Sequence, residues 1–267
     1  MSRLPLLLLV LLAVACKPPP EAPTELSELT AYLFREFETE DPEVLSVGME
    51  NLQVYFSGVD LTVDYKDLSY TPATLAEADI EGIVHPDRDP AQCLPVAVVT
   101  PSAFLPASHA DVIILHDQTP VEPNSPNLYD RTFTDPTDPS CFPGQSCTLA
   151  RSLNDILKEN FLMTIPYEMH KDFRWVEMTV NDEETWGILG KSWCEEVAWG
   201  TDGSNVVYQS FSIDVFWPYG DGTGARYMSL WSEPEMPGVG DDAVQGTIRW
   251  GIQQMFEATE EYLAGDN

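Results

Sequence analysis

The chain has 267 residues, of which 44 are acidic and 13 are basic, so its formal net charge at pH 7 is −31. A chain this negative repels phosphate backbones and anionic lipid head groups, which argues against nucleic-acid binding. Its length suffices for one large domain with a full hydrophobic core.

The first 16 residues have the features of a secretory signal that ends at a cysteine. Arg3 precedes the apolar run Leu4–Leu12, which is shorter than the roughly 18 residues that cross a bilayer. Through Ala13-Val14-Ala15-Cys16 the segment resembles the lipobox of bacterial lipoprotein precursors. The resemblance implies that Cys16 is lipidated and becomes the mature N-terminus. Because Lys17 is not the aspartate that retains such proteins at the inner membrane, it also implies anchoring at the outer membrane. The alternative is an ordinary secretory signal.

Residues 17–23 are rich in proline and predict an extended tether. We therefore expect three parts. They are a signal peptide (1–15), a lipidated cysteine with its tether (16–23), and a single α+β domain (24–267).

Two helices are predicted at the start of the domain. Apolar residues recur at helical spacing over Thr24–Glu38, and acidic residues cover the other side. Asp41 is expected to cap a second helix with Pro42 in its first turn, and this helix should reach about Phe56.

The middle of the chain predicts strands. The runs "LPVAVVTP" from Leu94 and "DVIILHD" from Asp111 are short, apolar and rich in β-branched residues. A short strand is expected at 128–133. Strict alternation over Phe161–His170 predicts another strand, and Lys171-Asp172 is interpreted as the turn that ends it.

The C-terminal third predicts a hairpin followed by a long helix. The turn "YGDGTG" joins two strands, and alternation puts Val207 on the same side of the first strand as Phe211 and Trp217. Asp241 is expected to cap a helix that runs to Ala264. The predicted fold class is thus α+β, with N-terminal helices, an antiparallel meander and a long C-terminal helix packed on the sheet. This order resembles helix-grip folds, which implies a sheet curled around a helix and an apolar ligand.

Four cysteines remain besides Cys16, an even number in an oxidising compartment, and they allow three pairings. Cys141 and Cys147 enclose the turn-like "FPGQS", so we expect them to pair. A bond between Cys93 and Cys194 would follow by elimination. Zinc binding is disfavoured because no CxxC spacing occurs.

Catalytic motifs are scarce. His85, His109 and His116 lie within a short stretch next to aspartates and are the candidate ligands of a metal-dependent hydrolase. Ser192 lies in "GKSWC", which approaches the nucleophile motif GxSxG but lacks its last glycine. Phosphate loops and dinucleotide fingerprints are absent from the sequence, so no cofactor is expected. Strand-end hydrogen bonding is the alternative role of the histidines.

Aromatic residues are concentrated in the C-terminal part, which contains all seven tryptophans. Neighbouring residues of a strand face opposite ways, so Phe216 and Trp217 cannot enter the same core. One interpretation is a ligand-binding sheet face that carries Trp193, Phe216, Trp217 and Trp231. The alternative is a tryptophan-rich core with helices over both sides of the sheet.

We interpret the sequence as an envelope lipoprotein with a non-catalytic binding or structural role. Its expected partners are the membrane, through Cys16, and either an apolar small molecule or another envelope protein. Hydrolysis in the periplasm or at the cell surface, by the histidines or by Ser192, is the alternative.

Overall fold

The computed structural model of the chain describes residues 20–63, 69–161 and 163–265. The predicted signal and the predicted lipidation site, Cys16, lie outside these residues. The described helices are α1 (Leu26–Arg35), α2 (Pro42–Ser57), α3 (Pro106–Ile113) and α4 (Asp241–Ala264). None of them is both long and apolar enough to cross a membrane.

The described strands form one antiparallel sheet in the order β1-β2-β9-β8-β6-β5-β4-β3, with the short β7 added beside β8. They are β1 (Ser69–Tyr70), β2 (Leu94–Ser102), β3 (Tyr129–Asp135), β4 (Leu149–Glu159), β5 (Thr164–Val180), β6 (Glu183–Trp193), β7 (Ala198–Trp199), β8 (Val206–Gly220) and β9 (Thr223–Glu235). The predicted α+β class is confirmed, including the helix-grip arrangement of a long C-terminal helix packed on an antiparallel sheet.

The predicted helix ends agree with local chemistry. Asp41 Oδ1 accepts a hydrogen bond of 3.3 Å from the Glu43 amide, and Pro42 is the first residue of α2. Helix α4 stops at Gly265, whose φ of 77° suits a residue without a side chain. Its N-cap is Gly240 and not Asp241, which is already the first helical residue.

Two predictions for the middle of the chain are wrong. The run from Asp111 belongs to helix α3 and the turn after it, because Pro106 starts a helix upstream and a short apolar run does not distinguish helix from strand. Lys171-Asp172 is not a turn. Strand β5 continues through both residues, since β4 and β6 pair with it there on either side.

The sheet is buried on both faces. Helices α1 and α2 cover one face and form a single continuous apolar cluster with it. Helices α3 and α4 cover the other face, where the apolar contacts form two smaller clusters. The described end of the predicted tether contacts the first layer, since Asn51 Nδ2 on α2 donates bonds of 3.0 Å to the carbonyl groups of Ala22 and Pro23.

Candidate functional site: a cavity between helix α4 and the sheet

A cavity of about 170 Å³ lies between α4 and the sheet face beneath it. Strands β5, β6, β8 and β9 form its floor, and α4 forms its roof. Its wall is mainly apolar, and many of the lining side chains are flexible or branched. These include Met163, Met169, Met228, Leu230, Ile248 and Met255.

Exposure shows which end of the cavity is open. Met228 and Leu230 are only half-buried although they lie on central strand β9 beneath α4, because they border empty space. The outer end lies next to Phe161, which is 75% exposed, and Trp250, which is 40% exposed. The centroids of these two rings are 6.4 Å apart. Their chain neighbours Asn160 and Gly251 line the cavity, whereas the lining residues Lys171, Ser192 and Ser212 at the inner end are buried.

The inner end contains a buried lysine. Lys171 projects from β5 into the cavity with 6% of its side chain exposed, and Nζ lies 3.9 Å from Asp214 Oδ2. Arg226 already binds that carboxylate, because its Nε and Nη2 donate bonds of 3.0 Å and 2.7 Å to the two oxygens. Desolvation lowers the pKa of Lys171 to about 8, although Asp214 opposes this shift. Burial would raise the pKa of Asp214, but its cationic neighbours hold it below the usual value.

A second, polar cavity of about 30 Å³, roughly the size of one water molecule, adjoins this end. Lys171 lines both cavities, as does Glu122. Arg131 also borders the polar cavity and is 3% exposed. Its guanidinium donates hydrogen bonds to Asn154 Oδ1 and to the Ile113 carbonyl, so two neutral acceptors hold this buried cation.

Two more polar groups face the main cavity at its inner end. The Oγ atoms of Ser192 and Ser212 are 2.5 Å apart, so one hydroxyl donates to the other and the accepting hydroxyl keeps a proton to donate. The buried Tyr129 hydroxyl interacts with the Arg131 guanidinium, which can only donate to it, and no acceptor for its own proton is found among the described residues. Both features supply donors to the cavity.

A serine, a histidine and a glutamate meet at the end of β2, a combination that the sequence did not reveal. Ser102 Oγ donates to Glu260 Oε1 (2.6 Å) and lies 2.9 Å from His109 Nε2. It also accepts a bond of 3.0 Å from the Phe104 amide. In a nucleophilic triad the acid binds the second nitrogen of the histidine, whereas here both side chains bind the serine. The group therefore ties β2, α3 and α4 together.

The three candidate histidines are not brought together. His85 Nδ1 contacts the Pro86 carbonyl, His109 contacts Ser102, and His116 Nδ1 lies 2.9 Å from the Arg131 carbonyl. In the part of the chain that the structure describes, no group of three metal-binding side chains is found. Burial lowers the pKa of His109 to about 3 and keeps it neutral. Ser192 does line the main cavity, but no histidine lines it with that serine.

The four aromatic residues predicted to form a ligand-binding face lie elsewhere. Trp217 and Trp231 are buried in the cluster under α1 and α2, and Trp193 packs at its edge. Phe216 is in the cluster under α3. None of the four lines the main cavity. Helices cover both faces of the sheet, so these four rings pack in hydrophobic cores. This arrangement is the alternative given in the sequence analysis, a tryptophan-rich core with helices on both sides.

One of the two predicted disulfides is present. Cys141 and Cys147 are bonded, with Cα atoms 5.3 Å apart. Cys93 and Cys194 are both free and buried. Their predicted bond is wrong because Cys93 belongs to the cluster under α1 and α2, whereas Cys194 lines the cavity on the opposite face of the sheet.

Sequence reasoning missed Lys171 as a site residue. The available signal was the alternation of Met163, Ile165, Tyr167 and Met169, since the next residue in that register is Lys171. Extending the strand by one more step would have placed a lysine on the apolar face.

No protein-family model matches the chain, and no curated protein matches it. Some solved structures resemble it distantly. TTHA0849 from Thermus thermophilus is 12% identical, and the alignment covers 65% of this chain and 99% of that chain with a TM-score of 0.41. A START superfamily protein from Mycobacterium smegmatis is 10% identical, with the same coverage and a TM-score of 0.39. A STAR-related lipid transfer protein from Xanthomonas axonopodis is 12% identical, covering 65% of this chain and 87% of that chain with a TM-score of 0.41.

Proposed function

We propose that this protein is a non-catalytic module that binds an apolar small molecule in the cavity between α4 and the sheet. The observation that carries the proposal is the cavity wall, where half-buried Met228, Leu230 and Ile248 line empty space under a helix. Close packing is the rule in protein interiors, and enclosed apolar space of about 150 Å³ is enough to hold a benzene-sized molecule.

The composition of the wall suits a binding role. Methionine is flexible and polarizable, so it adapts to ligands of different shape. Met163, Met169 and Met228 contribute to the floor, and Met255 contributes to the roof. The open outer end beside Phe161 and Trp250 lets part of a longer ligand extend beyond the enclosed volume.

We further propose that the protein acts at the bacterial cell envelope, anchored through lipid on Cys16 and facing the periplasm or the cell exterior. The lipobox-like Ala13-Val14-Ala15-Cys16 and the proline-rich residues 17–23 support this proposal. The Cys141–Cys147 bond supports it as well, since disulfides persist in oxidising compartments.

The test is a titration of the purified full chain with the neutral fluorophore N-phenyl-1-naphthylamine, followed by displacement with 1-decanol. We expect saturable fluorescence enhancement at one site. Ile248→Trp should abolish it, because the larger side chain fills the cavity.

Ala243→Trp is the matched control, since Ala243 lies on the same helix but is exposed and outside the cavity. It should bind the probe like the original chain. Loss of binding in both variants, or in neither, would contradict the proposed site.

A further inference from the structure

We infer that the ligand carries a carboxylate at one end and that Lys171 binds this group at the inner end of the cavity. The inference rests on the proposed function and names the chemical class of its ligand: a single-chain amphiphile whose tail points toward the outer end.

The charges around the polar cavity do not balance. Three buried cations, Lys171, Arg131 and Arg226, border it together with two carboxylates, Asp214 and Glu122. Glu122 also lies 3.9 Å from the amine of Lys158, a fourth cation. Positive charge is therefore in excess, in a chain whose formal net charge is −31.

The Lys171 amine lacks a hydrogen-bond acceptor. Asp214 Oδ2 is 3.9 Å from its amine, beyond hydrogen-bond distance, and both oxygens of that carboxylate bind Arg226. Among the described residues Lys171 Nζ makes no side-chain hydrogen bond. Its contacts among the described residues are the 3.9 Å ion pair with Asp214 and the Phe173 ring, whose centroid is 5.4 Å from Nζ. Neither accepts a hydrogen bond of normal length from the ammonium. A buried charge that lacks such a bond is costly, so an anion from the ligand would satisfy a need that the protein leaves open.

The inner end of the cavity has a surplus of hydrogen-bond donors. The Lys171 ammonium, the Tyr129 hydroxyl and one hydroxyl of the Ser192–Ser212 pair can all donate into the inner end. A carboxylate accepts several hydrogen bonds through its two oxygens and carries the charge that complements an ammonium. An alcohol accepts fewer bonds and is neutral, and an ammonium accepts none. The main competing group is Glu122, which would prefer a cation.

The rest of the wall suits a hydrocarbon tail. It is mainly apolar, with Met169, Leu230 and Ile248 among its lining residues, although Lys158, Asn160 and Glu196 also border the cavity. An anion with a hydrocarbon chain fits a cavity that has donors at one end and a mainly apolar wall elsewhere. A small hydrophilic anion does not.

The experiment displaces N-phenyl-1-naphthylamine from the full chain with three ligands of equal tail length: decanoate, 1-decanol and decyltrimethylammonium. We expect decanoate to bind about 10- to 100-fold more tightly than 1-decanol, the usual value of a hydrogen bond to a charged group. The overall negative charge favours the cationic ligand, so preference for decanoate requires a local positive site.

Lys171→Met should remove the preference for decanoate and leave the affinity for 1-decanol unchanged, which also shows that the variant is folded. Lys191→Met is the matched control. Lys191 lies on the neighbouring strand, and its pKa is also about 8 because of burial, but its amine lies over the Phe34 ring on the opposite face. This control should keep the preference.

A measurement on the ligand supplies a second readout. In the 13C spectrum of bound carboxyl-labelled decanoate, the carboxyl pKa should lie below its value in water, because the ammonium stabilises the anion. In Lys171→Met it should lie above that value.

Equal binding of decanoate and 1-decanol, tighter binding of decyltrimethylammonium, or loss of the preference in Lys191→Met would overturn this inference and leave the proposed function intact. Failure of every ligand and of the fluorophore to bind would overturn both.

Discussion

The two faces of the sheet are built on different principles. Under α1 and α2 the side chains form one continuous apolar cluster with large, fully buried rings such as Phe34, Trp217 and Trp231. Under α3 and α4 the apolar clusters are separated by buried charges and by an empty cavity. The first face is packed for stability, whereas the second retains space and unpaired donors, which are features of a binding site.

The neighbouring lysines show the contrast at one point in the sheet. Lys171 pairs in register with Ser192, and Asp172 pairs with Lys191. Both amines have a pKa of about 8 because both are desolvated. Both lysines are buried, but of the two only Lys171 faces a cavity. A ligand can therefore reach Lys171 and cannot reach Lys191.

The largest expected difference between the faces is in stability. Leu33→Ala, under α1, should lower the free energy of unfolding by about 2–5 kcal/mol, because it leaves a cavity in close-packed surroundings. Leu230→Ala should lower it by only about 1 kcal/mol, because that side chain already borders empty space. Denaturant titration of both variants measures the difference. Equal losses would show that the α4 face is as tightly packed as the other.

The next effect is a dependence on pH that both lysines should share. A lysine whose pKa is lowered in the folded state destabilises the fold at low pH, and this loss is recovered as pH rises from about 8 to the unfolded value near 10.5. Lys171→Met and Lys191→Met should therefore each be stabilising below about pH 8. Their advantage in the free energy of unfolding should shrink by about 1.4 kcal/mol per pH unit above it.

Comparison of each variant with the original chain cancels the titration of groups that do not interact with the lysine. The charged neighbours of Lys171 are Asp214, Arg131, Glu122 and Arg226, and those of Lys191 are Glu38, Asp172 and Arg151. Addition of decanoate should flatten the pH dependence for Lys171 alone. A curve for Lys191 that also flattens would break the proposed distinction between the faces.

The smallest effect is expected for Cys93 and Cys194, the two free thiols among the described residues. Burial raises the pKa of Cys93 and of Cys194 to about 12, so thiolate is scarce and both react slowly. Only Cys194 borders the cavity. N-ethylmaleimide should therefore modify Cys194 first, as peptide mapping by mass spectrometry would show.

Binding of 1-decanol should slow this modification, and Cys93 should react only when the protein unfolds. Equal rates for the two thiols at every concentration of 1-decanol would mean that the cavity gives no access to Cys194.

Local signals in the sequence predicted much of the fold. Helical spacing before Phe37, Pro42 after a capping Asp41, and Gly265 after α4 are each read from a few adjacent residues, and the structure agrees with them to within a few residues. The hairpin at Asp221-Gly222 and the Cys141–Cys147 bond are local in the same sense.

Predictions that depended on distant partners were less successful. Alternation put Val207 on the side of Phe211, but a β-bulge between Val207 and Ser210 turns Val207 to the cavity instead. The turn at Lys171-Asp172 was wrong for a related reason: two strands from other parts of the chain hold these polar residues in β5.

The sequence by itself determined the α+β class, the two N-terminal helices, the β8–β9 hairpin and the closing helix, because helix and strand periods, caps and turns act between near neighbours. Only the tertiary structure decided which face each strand residue occupies, that helices cover both faces, and that Lys171 is buried beside an apolar cavity. These features arise where segments far apart in the chain meet. The excess of buried positive charge at Lys171, for example, depends on side chains from four strands, and no single strand reveals it.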